Sequence, residues 1–262
     1  SASRGVIRVD DGASAEAAAR LVRTIVAAAD EASDGRLIVE RYIPGPEIAV
    51  EGLLRNGELE VLAVFDKPDP LDGPYFEETI YVTPSRLPST TVAETEEMVA
   101  AATGALGLVE GPVHAELRLP PTGPAVIEVA ARSIGGLCSR ALRFGLGVTL
   151  EELILRHALA MPVRHRGRTW AASGVMMIPI ARRGVLRAVR GRSAARAVPG
   201  IAGLEITIPP GQRLVPLPEG DRYLGFIFAR GATPEEVEHA LRTAHGHLEI
   251  AIDPLLPEAH PA

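Results

Sequence analysis

Residues 113–132, VHAELRLPPTGPAVIEVAAR, decide how the chain is built. Val113, Ala115, Leu117 and Leu119 alternate with His114, Glu116 and Arg118, the period of a strand with one apolar and one polar face. Further on, Val126, Glu128, Ala130 and Arg132 share one face, with Ile127 and Val129 on the other. Between the two runs, Pro120–Pro124 contains Thr-Gly and cannot lie in a central strand, so it reads as a hairpin turn. A turn symmetric about Thr122 sets Glu116 directly opposite Glu128. Opposed like charges destabilise a sheet unless something positive lies between them. A magnesium ion meets that need, because it takes carboxylate oxygens and keeps phosphate oxygens and water as its other ligands. The competing reading is a solvated polar face whose one-residue bulge separates the acids.

Working outward from the hairpin, the neighbouring segments read as α+β. Ala13–Ala29 is an Ala-rich helix with Ser14 as its N-cap. Val6–Val9 and Arg36–Ile43 (RLIVERYI) read as strands. Pro44–Glu47 turns the chain into a strand at Ile48–Leu54, and Asn56-Gly57 marks a two-residue hairpin into Glu58–Phe65. Residues 66–90 are proline-rich and read mostly as a long loop, which in a compact domain is functional or disordered. A helix follows over Val92–Ala105. After the two-glutamate hairpin, Leu137–Phe144 and Leu150–Ala160 read as helices, the second opened by Thr149 and Glu152 in capping-box spacing. Composition shifts beyond Met161-Pro162, so the sequence divides into 1–162 and 163–262. The second part reads as strand (Ala171–Ile180), a Gly/Arg-rich connection, strands at Leu204–Ile208 and Tyr223–Ala229, a helix capped by Thr233, and a final strand at Leu248–Ile252.

The bulk composition narrows the classes. At 262 residues and 47% hydrophobic the chain can bury a large core. A formal charge of −6 gives no general affinity for nucleic acid or an anionic membrane. Residues 161–200 hold nine Arg and no acid, which reads as a solvated face or a contact with the acidic remainder, since a lone Trp170 is the one aromatic residue among them. Cys138 is the only cysteine, which excludes a disulfide framework and fits a reducing compartment, so a cytoplasmic location is expected. No apolar run approaches the length that spans a bilayer. The spacing of His239, His245 and His247 matches no strong zinc pattern.

The order of the pieces is more specific than any one of them. A small-residue loop, a helix, IVERYIPGPEIAVEGLL, a loop, VHAEL and then VIEVAARSIGG resemble the ATP-grasp superfamily. DKPDPLDGPYFEETIYVTPS and SIGGLCSRALRFGLGVTLEELILRHALAMP are similar to its L-amino-acid (dipeptide) ligase branch, including a smaller α+β carboxy-terminal domain. The resemblance covers nearly the whole chain and matches the later part of such an enzyme, from midway through the nucleotide-binding subdomain onward.

That resemblance implies roles for particular residues. Glu40 in IVERYI would meet the adenine amino group, with the backbone of Arg41 and Ile43 along the adenine edge. Glu47 would hold the ribose hydroxyls, and Glu116 and Glu128 would bridge two magnesium ions, with manganese as a substitute. Arg132 would lie near the acyl phosphate. Ser1, Ser3 and Gly5 would form the loop over the phosphates, although a plain terminus fits those small residues equally well. Ala130 replaces the Asn that many relatives carry two residues past the second acid. The family's two ATP-phosphate lysines lie upstream of SASRGV, so the chain is expected to need a missing upstream half and to be inactive alone. Lys67, the only lysine, reads either as a contact to the transferred group or as a surface side chain.

The implied activity is ATP-dependent joining of an amino acid carboxylate to an amine, with ATP and magnesium as cofactors and ADP as product. Arg132 stands four residues past Glu128, roughly 13 Å away at full extension, and a guanidinium can grip two oxygens of a transferring group; a salt bridge to Glu128 is its structural alternative. Ser133, Gly135 and Gly136 would let backbone N–H groups approach the acyl oxygen. Glu77 and Glu78 would receive a substrate ammonium, or simply solvate a lid. His114 shares the face of Glu116. The partners implied are small molecules and a second copy of the chain, with neither nucleic acid nor membrane. Two other readings stay open: an ATP-grasp carboxylase that activates bicarbonate, and a non-catalytic nucleotide-binding module.

Overall fold

The computed structural model describes residues 3–29, 34–162 and 169–255. Its helices among the described residues are α1 (Gly12–Ala29), α2 (Ser89–Ala105), α3 (Leu150–Ala158), α4 (Arg192–Ala197) and α5 (Pro234–Gly246). The first strands are β1 (Glu47–Arg55), β2 (Glu58–Lys67), β3 (Ile80–Thr83), β4 (Gly111–Arg118) and β5 (Ala125–Ala130). After a 3-10 turn at Cys138–Ala141 come β6 (Arg143–Phe144), β7 (Val148–Thr149), β8 (Ala172–Ile178), β9 (Gly184–Arg190), β10 (Ile201–Ile206), β11 (Arg213–Leu214), β12 (Gly225–Gly231) and β13 (Glu249–Asp253). An eight-stranded sheet runs β10-β12-β8-β3-β2-β1-β4-β5, and every neighbouring pair in it is antiparallel. Strands from both sides of residue 163 share this sheet, and residues 163–168 themselves lie outside the described residues.

β1 is the hub. It pairs with β2 through the Asn56-Gly57 turn, whose two residues both have positive φ (50° and 83°), the geometry of a tight hairpin. On its other edge it pairs with β4. One face of these strands (Ile48, Val50, Leu54, Val64, Val113, Ala115 and Leu117) packs with Val99 of α2. The opposite face buries Ala49, Leu53 and Phe65 with Tyr81, Leu142, Phe144, Leu150 and Leu153. Because both faces are covered, β1 reads as a nearly continuous apolar run rather than an alternating one. A third core lies under α5, where Val237, Ala240, Leu241 and Ala244 meet β8 and β12. Gly174 permits that contact: a Cβ there would stand 2.7 Å from the Tyr81 carbonyl oxygen and 2.8 Å from Val237.

Several elements follow the sequence reading closely. Thr149 and Thr233 cap α3 and α5 by accepting the N–H of Glu152 and Glu236. In the two-glutamate hairpin, Glu116 is the register partner of Glu128, as symmetry about Thr122 requires. A bulge is present, but it falls one step beyond, where Leu117 pairs with Val126, and it leaves the acids opposed.

Others differ. Val6–Val9 and Arg36–Ile43 are not strands, because a strand is defined by its neighbour and neither segment has a strand partner among the described residues. Ile38 and Val39 are 86% and 91% exposed as a result. Asp11, not Ser14, caps α1: its carboxylate accepts the Ser14 N–H at 2.7 Å while Ser14 Oγ faces the Asp11 N–H at 3.3 Å. Leu137–Phe144 forms one 3-10 turn and the start of the β6–β7 hairpin instead of a helix. The loop at 66–90 contains β3, which joins β2 to β8, and the Gly/Arg-rich connection contains β9 and α4.

Candidate active site

Antiparallel register builds the site in three rows across β2, β1, β4 and β5. In the first, Lys67, Glu47 and Arg118 are direct cross-strand partners. The next holds Phe65, Ala49, Glu116 and Glu128, and the third Ala63, Glu51, His114 and Ala130. Successive rows stand two residues apart along each strand, so all their side chains share one face. Gly45 sets the entrance to β1: with φ at +110°, its missing Cβ would lie 2.5 Å from the Leu119 carbonyl oxygen. Only glycine lets the chain turn so tightly against β4 and deliver Glu47 beside Arg118.

The first row carries alternating charge. Lys67 Nζ donates to Glu47 Oε1 at 2.6 Å and to Glu78 Oε1 at 2.5 Å, and lies 3.2 Å from Glu116 Oε2. Arg118 Nε donates to the other Glu47 oxygen at 2.8 Å. Lys67 is 6% exposed, so its charge is stable only because three carboxylates surround it. Burial works against the ammonium, but Glu78, Glu116 and Glu47 outweigh it and hold its pKa above the ordinary lysine value. Burial likewise opposes ionisation of Glu116, yet its hydrogen bond from His114 and the Lys67 charge hold that carboxyl well below the usual range. Tyr81 and Tyr223 donate to Glu78 at 2.6 and 3.2 Å. Burial, and then the Glu78 charge, keep both phenols protonated far above their ordinary range.

The third row is buried as deeply. Glu51 is wholly buried and His114 is 3% exposed. His114 Nδ1 lies 3.1 Å from Glu51 Oε2 and its Nε2 lies 3.3 Å from Glu116 Oε1. Burial disfavours the imidazolium, but the hydrogen bonds and charges of Glu116 and Glu51 raise its pKa to about 9. Burial pushes the Glu51 carboxyl up in turn, against the pull of His114 and the Ile134 N–H.

The other sequence candidates fall into four places. Glu128 faces Glu116 in register but is exposed, 3.8 Å from the guanidinium of Arg132. Arg132 also donates to the Ser133 carbonyl at 2.9 Å, and a Cβ on Gly135 would lie 4.0 Å from it. Gly136 sits against Phe226, in the left-handed region. Glu40 and Arg41 are exposed and Ile43 is half-buried in the unpaired segment, which Tyr42 ties to the site through Arg118 at 3.4 Å. Ser3 and Gly5 form a positive-φ turn whose Gly5 N–H donates to the Pro218 carbonyl at 2.9 Å; Ser1 lies outside the described residues. Glu77 is half-buried beside Tyr223 and Arg222, in a cavity it helps to line.

Sequence reasoning missed Glu51, Arg118, Tyr81 and Tyr223. Alternation already placed Arg118 on the face of Glu116, and that was the available signal. Glu51 and Tyr81 lie in apolar runs where period-2 reading is blind.

The three acids gathered around the Lys67 ammonium also make a donor set of the kind a hard cation takes, so a metal there would share them with Lys67. One oxygen each of Glu47, Glu78 and Glu116 lie within 4.8 Å of one another, and Glu128 adds a carboxylate across from Glu116. Comparison with known proteins fits this picture. The ATP-grasp domain family matches residues 1–141, and the L-amino acid ligase C-terminal domain 2 family matches residues 176–253. The chain belongs to the ATP-grasp family. Among solved ATP-grasp structures, an L-amino acid ligase from Bacillus licheniformis superposes with a TM-score of 0.79 at 29% identity, over 94% of this chain and 62% of that one. Carnosine synthase 1 of Gallus gallus is 31% identical over 126 residues, 48% of this chain and 13% of the synthase. Biotin carboxylase from Campylobacter jejuni shares the fold, with a TM-score of 0.66 at 17% identity over 97% of this chain and 56% of that one. The chain therefore spans less than two thirds of the length of each of these proteins.

Proposed function

We propose that the protein containing this ATP-grasp chain is an ADP-forming carboxylate–amine ligase, most like the L-amino-acid ligases. What carries the reading is the opposition of Glu116 and Glu128 beside the Lys67–Glu47–Arg118 row, with Arg132 following in the next loop. The family matches on both halves of the chain support it. In this reading a substrate carboxylate oxygen attacks the γ-phosphorus of ATP and ADP leaves. An amine then attacks the acyl carbon of the resulting acyl phosphate, losing a proton as inorganic phosphate departs.

Each residue has a place in that scheme. Glu116 and Glu128 would hold magnesium, which when bound supplies positive charge to offset that of the phosphates. Lys67 sets the spacing of Glu47, Glu78 and Glu116 before any ligand arrives. Both Glu47 oxygens are engaged, but each retains a lone pair for a ribose hydroxyl. Glu40 and the backbone of Arg41 and Ile43 would meet adenine. The Ser3–Gly5 turn would lie over the phosphates. Arg132 reaches the transferring oxygens, and the backbone N–H groups of Ser133, Gly135 and Gly136 face the acyl oxygen. Glu78 already accepts from Lys67, Tyr81 and Tyr223, so it shapes the acidic pocket toward which an incoming ammonium is drawn.

The test is ADP release from Mg-ATP by the full-length protein, with amino-acid pairs in one arm and bicarbonate in the other. Dependence on amino acids supports the ligase; release with bicarbonate alone assigns a carboxylase; silence in both arms favours a nucleotide-binding module. Glu128→Gln should remove magnesium-dependent ADP release. It should move stability by no more than about 0.5 kcal/mol, because the side chain is exposed. Arg132→Ala should preserve ATP binding and lower turnover about a hundredfold or more, the scale of losing one oxyanion donor; unchanged turnover would remove it from the mechanism.

A further inference from the structure

Glu51 and His114 take no part in the steps above, yet they form a polar pair inside a core. Deeply buried ion pairs are costly, and apolar side chains of similar volume often do as well or better for stability alone. The flanking positions of the same row, Ala63 and Ala130, are small and apolar. What the pair touches is more informative than what it costs. One ring nitrogen of His114 faces Glu116 at 3.3 Å, and the other faces Glu51 at 3.1 Å. Glu51 in turn accepts the Ile134 N–H on both oxygens, at 3.2 and 3.0 Å. Ile134 stands midway between Arg132 and Gly136, and its own side chain is 6% exposed in the apolar cluster. A continuous line of contacts therefore runs from Glu116 on β4, across β1, to the backbone of the Arg132–Gly136 loop. β1 and that loop are 83 residues apart at the Glu51–Ile134 contact.

We propose that Glu51 and His114 are positioning residues that fix the Glu116 carboxylate relative to the Arg132–Gly136 loop. The proposal rests on the ligase reading for the meaning of those two pieces, but not for the existence of the link. The imidazolium donates to both carboxylates and the neutral ring to one of them, but in either state the ring stands between Glu51 and Glu116 at the same distances, so the link is argued from geometry. Glu51 holds the loop backbone, and His114 holds Glu51 and Glu116 at a fixed separation. Arg132 then projects from a loop whose distance from Glu116 is constant.

The experiment separates the two ring nitrogens. His114→Gln places its amide near the Nε2 position and abandons Glu51; His114→Asn places its amide near the Nδ1 position and abandons Glu116. The first readout is amide hydrogen exchange at Ile134 in the full-length protein, without ATP or metal. His114→Gln should speed exchange there by at least about tenfold, the lower bound for loosening a hydrogen bond to a charged acceptor. His114→Asn should leave Ile134 within about twofold of wild type, because the acceptor stays held. Both variants should lower kcat while KM for ATP stays within about twofold, since positioning acts on the transition state more than on binding. Should His114→Gln fail to fold, Glu51→Gln carries the same two measurements. Unchanged exchange at Ile134 in His114→Gln would overturn the proposal, as would faster exchange spread evenly over β1, β2 and β4. Absence of ATP turnover in the wild type would overturn the ligase reading while leaving the exchange result to stand by itself.

Discussion

At the scale of single residues, Lys67 is the organising charge. Three carboxylates that would repel one another are gathered around one ammonium, with Arg118 and His114 completing the neutralisation. Taking away one partner from such a cluster leaves charge buried without compensation, which is much worse than never having buried it. Lys67→Met should therefore cost about 3–5 kcal/mol, measured as the change in urea midpoint at constant slope. A loss below about 1 kcal/mol would mean that water enters and solvates the acids, and that Lys67 does not organise them. None of this was legible from Lys67 itself, which stands beside Pro68 at the mouth of a proline-rich segment and looks like a surface residue. Its burial is decided by the register of β2 against β1 and by Glu78, which reaches it from just before β3.

At the scale of elements, legibility followed locality. The two-glutamate hairpin, the Asn56-Gly57 turn and the caps at Thr149 and Thr233 are set by neighbours a few residues away, and they were all readable. Arg36–Ile43 has a strand's composition, but pairing is a property of two segments, and composition reports only one. The 66–90 loop hid β3 for a related reason: four residues, Ile80–Thr83, become a strand because β2 and β8 stand on either side. The same loop is clamped to α5. Arg242 donates to Asp69 and Glu238, and Arg86 donates to Asp66 and Glu238. Burial opposes ionisation of Asp69, but the Thr79 hydroxyl and Arg242 hold its pKa below the ordinary 3.8. A depressed pKa stabilises the fold above the unfolded value and ceases to do so as pH falls through the folded one. Asp69→Asn should thus be less stable than wild type near neutrality, and the gap should close as the pH drops below 3.8. Urea midpoints of both proteins at neutral pH and on either side of that value would check this; a gap independent of pH would mean that the clamp is not electrostatic.

At the scale of the whole molecule, one sheet carries both the site and the C-terminal strands. β3 hydrogen-bonds to β2 on one side and β8 on the other, so the strand preceded by Glu78 is also the seam between the two halves. Tyr223, from just before β12, closes the seam by donating to Glu78. Opening the site should then require disturbing both halves together. That gives the burial of Lys67 a practical use. It is the only lysine in 262 residues, so apart from an α-amino group the chain offers amine-selective reagents a single target, and that target is sealed. An acylating ester should leave the native protein's lysine unmodified and add one mass increment at Lys67 only as the sheet parts. The rate of that increment across a urea series should track global unfolding, and rapid labelling in native buffer would reveal a local opening at the β2–β3 seam. The chain is in effect its own single-site reporter, with the probe installed at the centre of the proposed site.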